Sequence, residues 1–171
     1  NIPVDRLVSK NYAKKIAEKI KNKETTKIQP GMLMKESDET THFSIIDKWG
    51  NSVSNTYTLN SAYGSGIVAK DTGILMNNEM DDFSQKPGYP NLYGLVGSEA
   101  NKIEPKKSPL SSMSPVIVTK DKIPYLITGS PGGSTIINSV FQEIVNIIDF
   151  EMSLEESSNK NRIHYQWQPN I

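Results

Sequence analysis

The chain has no cysteine among its 171 residues, which excludes disulfides, thiolate metal sites and a cysteine nucleophile. A cysteine-free chain tolerates either redox environment, so compartment stays open on that count. No apolar run approaches the ~18 residues that a membrane-spanning helix needs, and the mean hydropathy is -0.48. An excess of charge is missing too, because 19 Lys and Arg balance 19 Asp and Glu. That balance leaves no electrostatic footprint for nucleic acid or an anionic membrane. The two histidines, His42 and His164, lie far apart and outside any HExxH frame, so no metal cluster can be assembled from the sequence. No GxSxG elbow and no Ser-His-Asp order is present. A Met start, a signal-peptide pattern and a charged tail after Trp167 are absent as well. The sequence therefore reads as an internal segment of a larger protein.

What is present alternates between helix and hairpin signals. Ser9 is an N-cap candidate, and Tyr12, Ala13, Ile16, Ala17 and Ile20 recur at helical spacing, which predicts a helix over 10–22. A polar stretch over 22–39, broken by Pro30-Gly31, reads as a linker. Phe43 to Asp47, a turn over Lys48 to Asn51, and Val53 to Leu59 read as a β-hairpin. A glycine-rich loop over 60–66 and a short strand from Gly73 to Met76 follow. Residues 81–112 are rich in Pro, Gly, Asn and Ser and lack a pattern; so long an irregular stretch in a compact domain is usually functional. A second hairpin is expected from Pro115 to Thr128, turning at Lys120 to Lys122. Gly129 to Ser134 then open a helix carrying Ile136, Ile137, Val140, Phe141, Ile144, Val145 and Ile148. Ser153 and Glu156 have capping-box spacing for a last short helix. The order predicts an α+β domain built on antiparallel sheet with helices on its faces.

Chemistry is harder to read residue by residue. His42 shares a strand face with Thr40, and a structural, hydrogen-bonding role suits it better than catalysis. Thr40-Thr41 ends the linker; the plain reading is a pair of β-branched residues entering a strand. Hydrolases with an N-terminal Thr offer another reading, in which the Thr α-amino group serves as base after the chain is cut before it. Gly132-Gly133 at a helix start admits both an anion site and a tight turn. Asp81-Asp82 and Ser111-Ser112, each bracketed by apolar residues, either point into a pocket or cap turns.

Taken together, these segments resemble the bacterial γ-glutamyltranspeptidases in order and spacing. The matching motifs are Thr40-Thr41-His42-Phe43-Ser44, Asn77 to Phe83, Asn91 to Gly97, Pro109 to Pro115 and Gly129 to Ser134. Tyr12-Ala13, Pro30-Gly31 and His164 to Trp167 carry the likeness to both ends. The resemblance implies an N-terminal-nucleophile hydrolase with an αββα sandwich, present here in part. Residues 1–39 would end the large subunit, and 40–171 would form a small-subunit core truncated at its C-terminus. By that match Glu39–Thr40 is the self-cleavage bond and Thr40 the nucleophile. Thr58 is the second Thr whose hydroxyl bonds it, and Gly132 and Gly133 form the oxyanion hole. Ser111 and Ser112 match the pair that holds the substrate α-carboxylate, Asn60, Glu79 and Asp82 the residues that hold its α-amino group, and Tyr93 the lid tyrosine.

Acceptors for an ammonium and donors for a carboxylate are what a zwitterionic amino-acid end requires. The resemblance implies glutathione and other γ-glutamyl compounds as substrates, and water, amino acids or peptides as acceptors. It implies no cofactor or metal, a periplasmic or secreted location, and a large-subunit Arg lying upstream of Asn1. Thr135 departs from the family pattern, which has Arg after Gly-Gly-Ser. Alternatives are a cephalosporin acylase or poly-γ-glutamate depolymerase with the same nucleophile, and an unprocessed, inactive remnant.

Overall fold

The computed structural model describes residues 3–21 and 39–165, and the chain divides into compact units over Asn1–Met34 and Lys35–Ile171. Apart from Glu39, the expected linker over 22–39 lies outside the described residues, as do Gln166 and Trp167. In the first unit, α1 (Val4–Leu7) leads into α2 (Lys10–Lys21). Ser9 caps α2 as expected: its hydroxyl oxygen accepts the Tyr12 N–H at 3.2 Å, pairing a donor that the first turn would leave unbonded.

The second unit begins with an antiparallel hairpin of β1 (Thr41–Ile46) and β2 (Ser52–Tyr57), in register from Thr41 opposite Tyr57 to Ile46 opposite Ser52. Asp47 closes its turn by accepting the N–H groups of Trp49 and Asn51 at 2.8 and 2.9 Å. The second hairpin pairs β3 (Val116–Lys120) with β4 (Ile123–Thr128). Asp121 and Lys122 both adopt left-handed backbone, at φ 52° and 68°. Such a two-residue turn has the twist that antiparallel strands need. The register shifts after Val118, close to where Thr119 faces Pro124, which has no N–H to give the ladder.

The polar face of the first hairpin looks onto β4. Ser44 donates to the Ile127 carbonyl at 3.1 Å and Ser54 to the Thr128 carbonyl at 2.9 Å. His42 lies on the same face, its Nδ1 2.7 Å from the Thr56 hydroxyl and its Nε2 3.0 Å from that of Ser44. Burial lowers the imidazole pKa more than the nearby Glu143 charge raises it. The ring therefore serves as a neutral hydrogen-bonding strut. A Cβ on Gly129 would sit 2.2 Å from the His42 ring, so the chain leaving β4 approaches His42 only as glycine.

A 3-10 turn over Gly133–Thr135 leads into α3 (Ile136–Ile148), and α4 (Leu154–Asn159) starts with the expected Ser153–Glu156 capping box. Thr128 ties β4 to α3 by donating to the Glu143 carboxylate at 2.6 Å. Among the described residues the buried apolar ones are Phe83, Leu126, Ile136, Val140 and Ile147. Only one side of α3 is covered; Ile137, Phe141 and Ile148 of the expected apolar set are exposed. That helix is apolar on two sides, and the described residues bury one. One expectation fails: Gly73–Met76 forms no strand. A single bridge between Val68 and Leu75 replaces it, with Asp71 and Gly73 turning through left-handed backbone between its partners. The irregular stretch over 81–112 holds short 3-10 turns and isolated bridges, in keeping with its composition.

Candidate active site

The irregular segments, the open end of the first hairpin and the glycine turn before α3 line a cavity of about 560 Å³. Thr40, Thr58, Asn60, Glu79, Asp82, Tyr93, Ser111, Ser112 and Gly133 all line it. Of the expected site residues, Glu39 and Gly132 are not in the lining; each is the chain neighbour of a residue that is, Thr40 and Gly133. Thr40 precedes β1 and is 8% exposed. Thr58 follows β2, so Thr41 pairing with Tyr57 brings the two threonines to one end of the hairpin. Their hydroxyls do not bond each other among the described residues. That of Thr58 accepts the Asn60 N–H at 2.9 Å and keeps its own proton for another acceptor.

Asn60 is the most constrained residue of the site. It is 4% exposed and left-handed at φ 76°, a conformation that Asn tolerates better than most residues. Its side-chain amide donates to the Asn78 carbonyl at 3.3 Å, which leaves its side-chain oxygen as an acceptor. Its backbone carbonyl accepts the Tyr93 hydroxyl, so Tyr93 bonds across the cavity wall.

The acidic wall is a 3-10 turn, Glu79–Asp82, whose first N–H is accepted by the Asn77 side chain at 3.0 Å. Burial, then the hydrogen bond and charge shared with Asp82, push Glu79 up to about 7. Burial and the charge of Asp81 also raise Asp82, although its bond to Glu79 works the other way. Below pH 7 the pair therefore holds a proton on Glu79. An ammonium group placed between the two carboxylates would displace that proton to meet two charges. The affinity of a competitive γ-glutamyl analogue should therefore rise by up to about tenfold per pH unit below pH ~7 and level off above it. Measured inhibition constants should show that bend, and Glu79→Gln should flatten it; a flat parental profile would rule out the shared proton. For folding the sign is opposite. Stability from the raised Glu79 is complete below the free carboxylate value and is lost as pH rises through about 7.

The two serines differ. Ser112 donates its proton to the Gly133 carbonyl at 2.8 Å, whereas the Ser111 hydroxyl oxygen accepts the Met113 N–H at 3.2 Å. Ser111 thus keeps its proton for another acceptor, whereas Ser112 gives its own to the glycine turn.

Sequence reasoning singled out Asp81 and the segment from Asn91 but not the partners they brace, and it missed Asn101. Asp81 accepts the Leu92 N–H at 2.9 Å, and the Asn91 side chain accepts those of Tyr93 and Leu95 at 3.0 and 2.9 Å, fixing the Tyr93 loop. Asn101 donates to the Asp82 carbonyl at 2.7 Å and accepts from Leu110 at 3.0 Å, joining the acidic turn to the serine segment. Asn and Asp are common in such stretches, and nothing in their spacing names the partner.

With this geometry in view, the likeness to known proteins is specific. Residues 1–171 match the gamma-glutamyltranspeptidase family, and the chain belongs to that family. It is 55% identical over 172 residues to the glutathione hydrolase proenzyme of Escherichia coli, covering 98% of this chain and 30% of that relative. A solved gamma-glutamyltranspeptidase from Pseudomonas nitroreducens, complexed with L-DON, is 57% identical with a TM-score of 0.72, covering 75% of this chain and 67% of that one. The Bacillus anthracis transpeptidase CapD is more distant, at 25% identity and a TM-score of 0.50 over 74% of this chain and 61% of that one. The fold is a partial N-terminal-nucleophile hydrolase, α+β as expected. The chain spans about 30% of the length of the E. coli relative.

Proposed function

We propose that the full-length protein is a γ-glutamyl hydrolase and transferase that acts on glutathione-like compounds through Thr40. The observation that carries this reading is the convergence of Thr40, an acid pair, a donor serine and a glycine turn on one cavity. Cleavage of the Glu39–Thr40 bond frees the Thr40 α-amino group, which takes the hydroxyl proton as Thr40 attacks the γ-glutamyl carbonyl. The Thr58 hydroxyl supports the nucleophile, and the N–H groups of Gly132 and Gly133 receive the developing oxyanion. Collapse releases the amine portion and leaves an ester on Thr40. Water, an amino acid or a peptide then takes the acyl group. Glu79, Asp82 and the Asn60 side-chain oxygen hold the substrate ammonium; Ser111 donates to its carboxylate, with Ser112 beside it.

Residues 1–39 close the large subunit and 40–171 form the core of the small one, so the chain works with the rest of the large subunit. Its location is periplasmic or secreted; among the described residues no helix is long and apolar enough to cross a membrane. An acylase or depolymerase with the same nucleophile is the second reading. The acid pair favours free amino-acid ends, because its two half-buried carboxylates offer an ammonium acceptors that a substrate lacking one would not use.

Asp82→Ala separates the readings. It should lower kcat/KM for a γ-glutamyl anilide by about 10- to 10³-fold, the loss of a charge-assisted bond of roughly 1.5–3 kcal/mol or more. The corresponding glutaryl anilide, which has no α-amino group, should lose far less. Equal losses would remove Asp82 from ammonium binding.

A further inference from the structure

We propose that Thr135 is a positioning residue that aims the Gly133 N–H into the cavity by gripping the carbonyl of the preceding peptide. The proposal rests on the N-terminal-nucleophile reading, which makes that N–H an oxyanion donor. Gly132 and Gly133 are both left-handed, at φ 127° and 55°. Two glycines in succession offer no side chain to resist rotation of the peptide plane between them. In a trans peptide the carbonyl and the N–H point in opposite directions. Whatever holds the Gly132 carbonyl therefore decides where the Gly133 N–H points.

Thr135 holds that carbonyl twice, with its own N–H at 3.0 Å and with its hydroxyl at 2.9 Å. The hydroxyl also occupies the space behind the turn, 2.6 Å from where a Cβ on Gly132 would lie. The following plane is held in the same way, since the Gly133 carbonyl accepts both Ser112 and the Ile136 N–H. Among the described residues the Gly133 N–H donates to no protein group, and Gly133 lines the cavity beside Thr40. A flipped plane would remove this donor and turn a carbonyl oxygen toward the developing negative charge. The backbone bond from Thr135 is available to any residue but proline, and a short 3-10 turn holds it weakly. The hydroxyl is thus the part of the latch that residue identity supplies.

The test uses the full-length protein with Thr135 replaced by Val, Ala or Ser, assayed with γ-glutamyl-p-nitroanilide. Rates are normalised to subunits beginning at Thr40, counted by intact mass. Thr135→Val and Thr135→Ala should each lower kcat by about tenfold with KM within about twofold, and Thr135→Ser should stay within about twofold of the parent in both. Parental kcat in either hydroxyl-free variant, or a serine variant as slow as alanine, would overturn the assignment. So would a loss confined to KM. The alanine variant is smaller than threonine, so it keeps the test open if the valine variant does not fold. Thr40→Ala runs alongside: activity surviving there would sink the nucleophile reading itself, whereas parental kcat at Thr135 with an inactive Thr40→Ala would overturn only the latch.

Discussion

Thr40→Ala in the full-length protein should remain one uncut chain and hydrolyse γ-glutamyl-p-nitroanilide at no more than background. In the proposed mechanism the Thr40 hydroxyl attacks the Glu39 carbonyl, converting the peptide bond to an ester that water then opens. In the same proposal that hydroxyl, with the freed α-amino group as its base, attacks substrate. One substitution therefore removes two reactions. Thr40 is buried against the cavity while Glu39 is exposed, an arrangement that lets the hydroxyl face the site as the preceding chain is released. Thr40→Ser keeps the hydroxyl and should still cleave, more slowly. Denaturing gels and intact mass read both outcomes; a normally processed alanine variant would take the nucleophile role away from Thr40.

Gly133→Val should reduce kcat by about 10² or more on processed enzyme, with KM much less affected. Two effects combine. Gly133 sits at φ 55°, where a β-branched side chain is strained, so the backbone moves and the donor leaves its line to the oxyanion. The turn also opens α3, whose N-terminal end favours negative charge, and a displaced donor loses that field as well. The proposed ground-state binding through Glu79, Asp82 and Ser111 does not use this N–H. A parallel fall in kcat and rise in KM would indicate a collapsed cavity, and unchanged kcat would reduce the glycine pair to a turn.

Much of this protein was legible in its sequence. Ser9, the Asp121-Lys122 turn and the Ser153–Glu156 box act through neighbours a few residues away, so local composition sufficed to place them. Hairpins and the main helix followed from periodicities of two and about 3.6. Gly73–Met76 looked like a strand, but a strand needs a partner, and the turns around it leave room for one bridge. The apolar residues of α3 were found correctly; which of them are buried depends on what packs there, and periodicity carries no such information.

The site divides along the same line. Residue types and order alone determined that Thr40, the acid pair, the serine pair and the glycine pair are present, and the family resemblance joined them. Only the tertiary structure decided how they work. It brought residues from Thr40 to Gly133 to one cavity, pushed Glu79 up to about 7 by burial and the closeness of Asp82, and assigned the Ser112 proton to the Gly133 carbonyl. It also set the Thr135 hydroxyl on the Gly132 carbonyl, a contact that its departure from the family pattern did not foretell. Proton sharing and the direction of a peptide plane depend on distances of about 3 Å between groups far apart in the chain, and a linear pattern contains no such distances.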